Sequence, residues 1–145
     1  QNFDSAGDHE QQENGKVVFD GIVALAKACL AAGIPVGLGT DTGCPFITHY
    51  DMWRELCYFV KFCGVTPAFA LHSATLLNAR LAGIDHLTGS VEKGKAADLI
   101  VCEKNPLEDL TALRKLDMVI KDGWRIDHPA VKKLPQVERE LDKFL

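Results

Sequence analysis

A helical stretch that ends in a glycine and continues into a short apolar segment is the feature that most constrains the fold of this chain. Apolar residues recur at spacings of three and four, as on one face of a helix: Val18, Ile22, Leu25, Ala26, Cys29 and Leu30. Gly33 stands where a C-terminal cap belongs, so we predict a helix over residues 16–33. Residues 35–39 are apolar on both sides, as in a strand that is covered on both faces. A helix followed by such a strand is the αβ half of a parallel α/β unit.

Asp41 follows this predicted strand within the stretch GIPVGLGTDTG. Catalytic residues of parallel α/β folds lie at the carboxyl ends of the strands, because the loops there form the open face. A carboxylate at that position can ligate a metal and can accept a proton from metal-bound water. The alternative is that Asp41 caps the next helix or stabilises the turn, as aspartate often does. The stretch by itself supports both interpretations equally.

Two further helices are predicted after Pro45. The first carries a wide apolar stripe and stops at Gly64; the stripe is Met52, Trp53, Leu56, Cys57, Phe59 and Val60. The second begins at Thr66, with Thr as the N-cap and Pro67 at the first helical position, and ends at Gly83. Two consecutive helices without an intervening strand depart from strict βα alternation.

Strands and turns are predicted beyond the second of these helices. We expect short strands at residues 89–92 and 97–103, and a hairpin in MVIKDGWRI with a type I′ turn at Asp122-Gly123. The closing PQVERELDKFL is predicted to be a short amphipathic helix. Residues 1–15 are polar and aperiodic, so we expect a lead-in loop there.

Charge and cysteine content exclude several classes of partner and location. The net charge is −4, with basic residues scattered among acidic ones, so a nucleic-acid partner is not expected. The five cysteines are odd in number and form no CxxC pair, which favours reduced thiols in a cytoplasmic compartment. The most apolar long segment, residues 22–38, is interrupted by Lys27, Gly33 and Pro35, so no membrane partner is expected either.

Several motifs, in order, resemble the C-terminal part of the metal-dependent amidohydrolase superfamily. They are GLGTDTG, THYDMWREL, GVTPAFALHSATLLNARLAG, GSVEKGKAADLIVCEKNPLEDL and VIKDGWRI. The most similar subgroup contains imidazolonepropionase-like and prolidase-like enzymes, and the resemblance covers roughly residues 20–127. NPL replaces the more usual DPL of the family, which removes a charge but keeps a turn-forming side chain.

The resemblance implies an α/β fold, namely the C-terminal fragment of a (β/α)8 TIM barrel with the C-terminal strands of a small β-sandwich, the composite domain. The fragment would contain the last αβ unit of the barrel and the helices that follow it. It implies a lead-in loop at residues 1–15, barrel elements at 16–84, sandwich strands at 85–128 and a tail helix at 129–145. We expect the parent protein to be roughly three times as long, since a complete barrel needs seven further strands.

The resemblance also implies the site residues and the cofactor. Asp41 matches the family aspartate that ligates a catalytic metal and shuttles the proton of the bridging hydroxide. The family's other ligands are a His-x-His pair, a carboxylated lysine or acidic residue, and two histidines, on segments that this chain does not contain. We expect a divalent metal, zinc by default, as one or two ions. His49 follows the same loop and could contact substrate at the pocket rim, or it could be a solvated histidine at a helix start.

Four other candidates are explained by structural roles or by chance. His72 lies inside a predicted helix and is expected to be hydrogen-bonded between packed elements. Cys44 could face a pocket, but a small residue after a turn is the simpler account, and Asp98 is expected to bond turn amides where a strand begins. The run Asp8-His9-Glu10 has ligand types in a loop context, which chance explains.

The leading functional hypothesis is a hydrolase. The parent protein would hydrolyse a C–N bond in a small amide, dipeptide-like or cyclic amide substrate by metal-activated water, and the isolated chain would be inactive. The alternative is a non-catalytic amidohydrolase-like protein that serves structure or partner binding. Because the absent strands would leave apolar faces uncovered, we also expect a homo-oligomer.

Overall fold

A computed structural model describes residues 6–44 and 47–145 of the chain. It is a mixed structure of helices and a small antiparallel sheet, and it divides into two compact units, residues 1–36 and 37–145. Helix α1, Ala6–Ala31, is the described element of the first unit. The second unit contains the other helices and the sheet. Within the described residues no helix combines the length and the apolar character that crossing a membrane requires.

Helix α1 ends as predicted but begins earlier. The Gly33 amide donates to Leu30 O and the Ile34 amide to Cys29 O, which is the Schellman pattern, with Gly33 at φ 71°. The expectation of a loop at residues 1–15 is wrong from Ala6 onward, because residues 6–15 are helical. This stretch is rich in Glu and Gln, which are good helix formers but leave no apolar periodicity to detect. Residues 1–5 and the side chains of Asp8, His9 and Glu10 lie outside the described part of the chain.

The helical layer of the second unit follows the predicted pattern closely. Helix α2, Met52–Cys63, ends at Gly64 in the left-handed conformation. Helix α3, Pro67–His72, begins with the Phe69 amide donating to Thr66 Oγ1 at 3.2 Å, and continues through a π-helical turn, Ser73–Leu77, into helix α4, Asn78–Leu81. The buried apolar side chains come mainly from these helices and from a 3₁₀ turn, Leu110–Arg114; they are Trp53, Leu56, Phe59, Ala70, Ala79 and Leu110. This core holds α2 and α3 together.

The sheet contains strands β1, Leu99–Val101, β2, Met118–Lys121, and β3, Trp124–Asp127, in the order β1-β2-β3 with antiparallel pairing. The predicted hairpin is confirmed: Lys121 pairs with Trp124, and Asp122 and Gly123 both have positive φ, at 50° and 81°. Positive φ at both central positions is the signature of a type I′ turn. The amphipathic closing helix is also confirmed as α5, Pro135–Leu141, extended by a 3₁₀ turn, Asp142–Phe144.

Two predicted strands are corrected by the structure. Residues 89–92 are not a strand, because Ser90 bonds Glu92 and Lys95 through side chains and Gly89 has φ 92° beside Ala79 and the π-helical turn. Such local side-chain bonds compete with a strand ladder. Residues 35–39 are not assigned to a strand, since none of the described segments forms a ladder with them. The strand expected at residues 97–103 is shorter, and it is β1.

Candidate active site

The segment that leads to Asp41 is held by one side chain of helix α4. Asn78 Nδ2 donates to Leu38 O at 2.8 Å, and the Leu38 amide donates to Asn78 Oδ1 at 3.0 Å. The side-chain amide thus replaces the two backbone bonds that a neighbouring strand would make. Gly37 permits this approach, because a Cβ there would lie 2.4 Å from Asn78 Oδ1. The apolar segment therefore reaches the loop in a defined position without a described strand partner.

Asp41 itself adopts the left-handed backbone conformation, with φ 48°. Its carbonyl accepts from the Cys44 amide at 3.2 Å, which closes the turn, and Thr40 and Thr42 share a hydroxyl hydrogen bond of 2.7 Å beside it. The Asp41 side chain is exposed, and no hydrogen bond or ion pair joins its carboxylate to a side chain that the structure describes. The carboxylate is therefore accessible to solvent.

A small cavity lies next to this turn. Its volume is about 110 Å³, and it is lined by Thr40, Ile47, Thr48, Asp51, Arg54, Glu55, Tyr58 and Leu141. Burial raises the pKa of Glu55, and the negative charge of Asp41 raises it further. Burial also raises the pKa of Tyr58. The turn thus brings two carboxylates, Asp41 and Glu55, into electrostatic contact beside a polar cavity.

A buried ionic network, which sequence reasoning missed, shares Asp51 and Arg54 with the lining of this cavity. Arg54 is only 2% exposed; its Nη1 lies 2.8 Å from Asp142 Oδ1, and its Nη2 lies 3.2 Å from Glu138 Oε2. Arg114 contacts the same two acidic residues at 3.1 and 3.0 Å. The guanidinium carbon of Arg54 also stacks 4.5 Å from the centre of the Trp53 ring.

The network also reaches the loop after Asp41. Asp51 accepts from the Thr48 hydroxyl and from Trp53 Nε1, and lies 3.5 Å from Arg54 Nε. Burial opposes the charge of Arg54, but its contacts with Asp142, Asp51 and Glu138 raise its pKa, so it stays a cation. A sequence signal existed: Arg54 interrupts the apolar stripe of α2, and Glu138 and Asp142 are four residues apart on the amphipathic tail helix.

The other residues that the sequence singles out do not line this cavity. His49 is exposed, packs edge-on against Tyr50 at 5.1 Å, and lines a different cavity of about 260 Å³ among apolar residues of α2 and α3. Cys44 is exposed, and its backbone forms an isolated bridge with Thr42. His72 is half-buried at the end of α3. Asp98 accepts from the Asp122 amide at 3.0 Å, which confirms its expected bond to a turn amide.

The sequence resemblance implies a divalent metal, which would need several ligands from these side chains. Among the described residues, no group of three or more His, Cys, Asp or Glu side chains could hold a metal ion. Asp41 is exposed and free of hydrogen-bond partners among the described side chains, so its chemistry fits one ligand position. The described residues therefore do not supply a complete coordination shell.

Comparison with known proteins places this site in a family context. The profile of the amidohydrolase family matches residues 11–125, which are most of the chain and include Asp41. The chain belongs to the amidohydrolase family. The imidazolonepropionase of Geobacillus kaustophilus is 36% identical to this amidohydrolase chain over 78 residues, 54% of this chain and 18% of that protein. Ochratoxinase of Aspergillus niger is 36% identical over 102 residues, 69% of this chain and 20% of that protein.

The amidohydrolase chain also has similar solved structures. The crystal structure of a Bifidobacterium longum protein assigned as a prolidase matches with a TM-score of 0.88 and 44% identity, over 92% of this chain and 33% of that one. The chain therefore spans between about a fifth and a third of the length of these relatives. Residues 126–145, which include helix α5, lie beyond the stretch that the family profile matches.

Proposed function

We propose that the whole protein is a metal-dependent hydrolase of carbon–nitrogen bonds in amide, dipeptide-like or cyclic amide substrates, and that this chain contributes the carboxylate Asp41 to its site. The observation that carries the proposal is the geometry of Asp41: an exposed carboxylate on a left-handed residue, at the end of an apolar segment, within the stretch that belongs to the amidohydrolase family. Non-glycine residues in this conformation concentrate at functional sites.

Asp41 would serve as a metal ligand and as the base that takes the proton from the attacking water. When bound, a divalent metal supplies a nucleophile at neutral pH by lowering the pKa of its water. The carboxylate is suited to the proton step because no described side chain holds it in a competing hydrogen bond. His49 remains a candidate for substrate contact at the rim of the pocket. Zinc is the expected metal, and the isolated chain is expected to be inactive.

We propose further that residues 16–84 belong to the end of a (β/α)8 barrel and that residues 85–128, which include β1–β3, belong to a small sandwich. Two features support this. In the segment before Asp41, the backbone of Leu38 bonds the side chain of Asn78 instead of a strand, and the sheet exposes apolar residues such as Trp124 at 80% and Ile100 at 54%. Such surfaces need covering by the rest of a larger protein or by another copy. A cytoplasmic homo-oligomer is the assembly that we expect.

Peptide-like substrates are the first class to test. The solved structure with 44% identity is assigned as a prolidase. The first substrates in a hydrolysis panel are therefore dipeptides with a C-terminal proline, and a simple N-acyl amino acid and an imidazolone ring form the other two arms of the panel. The whole protein should release product from at least one arm, lose activity on chelation and regain it with zinc or another divalent ion. Absence of hydrolysis in every arm, in a preparation whose metal content is confirmed, would favour the non-catalytic alternative.

A further inference from the structure

The C-terminal segment forms part of the cavity next to Asp41, although it lies beyond the residues matched by the family profile. Leu141, the last residue of α5, lines the 110 Å³ cavity together with Thr40, which immediately precedes Asp41. The tail is also joined to helix α2 at its end, where Lys61 Nζ donates to Phe144 O at 2.8 Å. A segment outside the family profile thus contributes one wall beside the proposed catalytic residue.

A continuous chain of contacts connects this tail with the loop that follows Asp41. Glu138 is 7% exposed and pairs with Arg54, Arg54 contacts Asp51, and Asp51 accepts from the Thr48 hydroxyl. Each link is buried or half-buried and involves a charged group. A buried charge is tolerated only with its partners in place, so this network favours one arrangement of tail, helix and loop.

We propose that two residues of the C-terminal helix are positioning residues for the active-site loop: Glu138 acts through Arg54 and Asp51, and Leu141 acts as an apolar wall of the cavity beside Thr40. This inference rests on the proposed hydrolase function for its kinetic part. The tail does not reach the reacting atoms; it holds Thr40 and residues 48–51, on either side of Asp41 and the turn that contains it, in one arrangement. Because a displacement of about 1 Å at a reacting group can lower a rate by about 100-fold, a loosened loop would act on turnover.

The test compares Glu138→Gln with Glu140→Gln in the whole protein. Glu140 lies on the same helix, is exposed and pairs only with Lys143 among the described residues, so its substitution is a matched control. Amide hydrogen exchange is followed at residues 40–51, with the hairpin β2–β3 as an internal reference. Glu138→Gln should raise exchange in the loop about tenfold and lower kcat about tenfold with KM within about twofold, while the reference and the control stay unchanged.

Two outcomes would overturn the inference. Unchanged loop exchange in a folded Glu138→Gln protein is one, and equal effects of Glu138→Gln and Glu140→Gln are the other. If Glu138→Gln does not fold, the variant Leu141→Ala tests the proposal instead, because it removes only the apolar side chain that lines the cavity. Leu141→Ala should raise amide exchange in the loop and lower kcat. No change in either quantity would refute the proposal. Exchange requires no substrate, so a wild-type protein without hydrolytic activity would count against the proposed function and leave this test intact.

Discussion

Two aspartates of this chain share an unusual backbone conformation but differ in the contacts of their side chains. Asp41 and Asp122 have φ values of 48° and 50°, which non-glycine residues rarely adopt. In the hairpin, the Asp122 carboxylate lies 2.8 Å from Lys121 Nζ, and its amide donates to Asp98. In the loop, no described side chain bonds the Asp41 carboxylate. The Asp122 carboxylate is therefore bonded within its own turn, whereas the Asp41 carboxylate has no partner among the described side chains.

The largest effect that separates the two aspartates is expected in turnover. Asp41→Asn keeps the size and turn-forming ability of the side chain but removes the charge and the proton acceptor. In the whole protein kcat should fall by about 10² to 10⁴, the range for loss of a positioned general base. Asp122→Asn is the matched control and should remain near wild type. Steady-state kinetics on the best substrate of the panel checks this, and similar turnover in both variants would remove the distinction.

The second comparison concerns what supports each turn. The Asp41 loop depends on Asn78, distant in sequence, so Asn78→Ala leaves both polar backbone groups of Leu38 without partners. We expect the free energy of unfolding to fall by about 1–3 kcal/mol. Asn105→Ala serves as the control, because Asn105 makes its hydrogen bonds in an exposed local turn to Leu107 and Glu108. Urea denaturation should show a clearly smaller loss for Asn105→Ala, and equal losses would contradict the role given to Asn78.

A third, smaller effect concerns stability at the two positive-φ positions. Glycine relieves the steric cost of this conformation but adds entropy to the unfolded chain, so the net gain from Asp41→Gly should be about 0.5 kcal/mol. Asp122→Gly also loses the contact with Lys121, so its gain should be smaller or absent. Thermal unfolding of both variants measures the difference. A loss of stability in Asp41→Gly that exceeds the loss in Asp122→Gly would show that the Asp41 side chain supports its turn after all.

The smallest effect is expected from acid on the hairpin. The hydrogen bond from the Asp122 amide and the contact with Lys121 lower the pKa of Asp98 below its ordinary 3.8. A depressed pKa means that this contribution is fully present above pH 3.8 and is lost as the pH falls through the lower folded value. The protection of residues 118–127 against amide exchange, taken relative to the intrinsic exchange rate at each pH, should therefore fall below about pH 4, and Asp98→Asn should abolish that fall. An unchanged acid response in Asp98→Asn would show that other groups govern the hairpin.

Local signals in the sequence predicted most elements of the fold. Glycine caps at Gly33 and Gly64, the Thr66 cap and the Asp122-Gly123 turn act through neighbours in the chain, so they can be read without the tertiary structure. The polar first turns of α1 were missed because a solvated helix need not carry an apolar stripe.

The long-range features could not be read in this way. The bond between Leu38 and Asn78 spans 40 residues, and the ion pair between Arg54 and Glu138 spans 84. Such contacts leave no periodic pattern in the sequence. The ionic network around Arg54 and the position of Leu141 of α5 beside the cavity could therefore be found only from the structure. Asp41 as a site residue stays a prediction from the sequence, with its conformation and exposure as support.

Metal content per chain tests the central claim most directly. Asp41→Ala removes the ligand oxygens of the loop, and Asp122→Ala removes those of the hairpin turn. After purification of the whole protein and elemental analysis, Asp41→Ala should carry markedly less zinc or other divalent metal than wild type, while Asp122→Ala should carry the wild-type amount. If both variants and the wild type hold the same amount of metal, Asp41 is not a ligand, and the two aspartates are both turn residues.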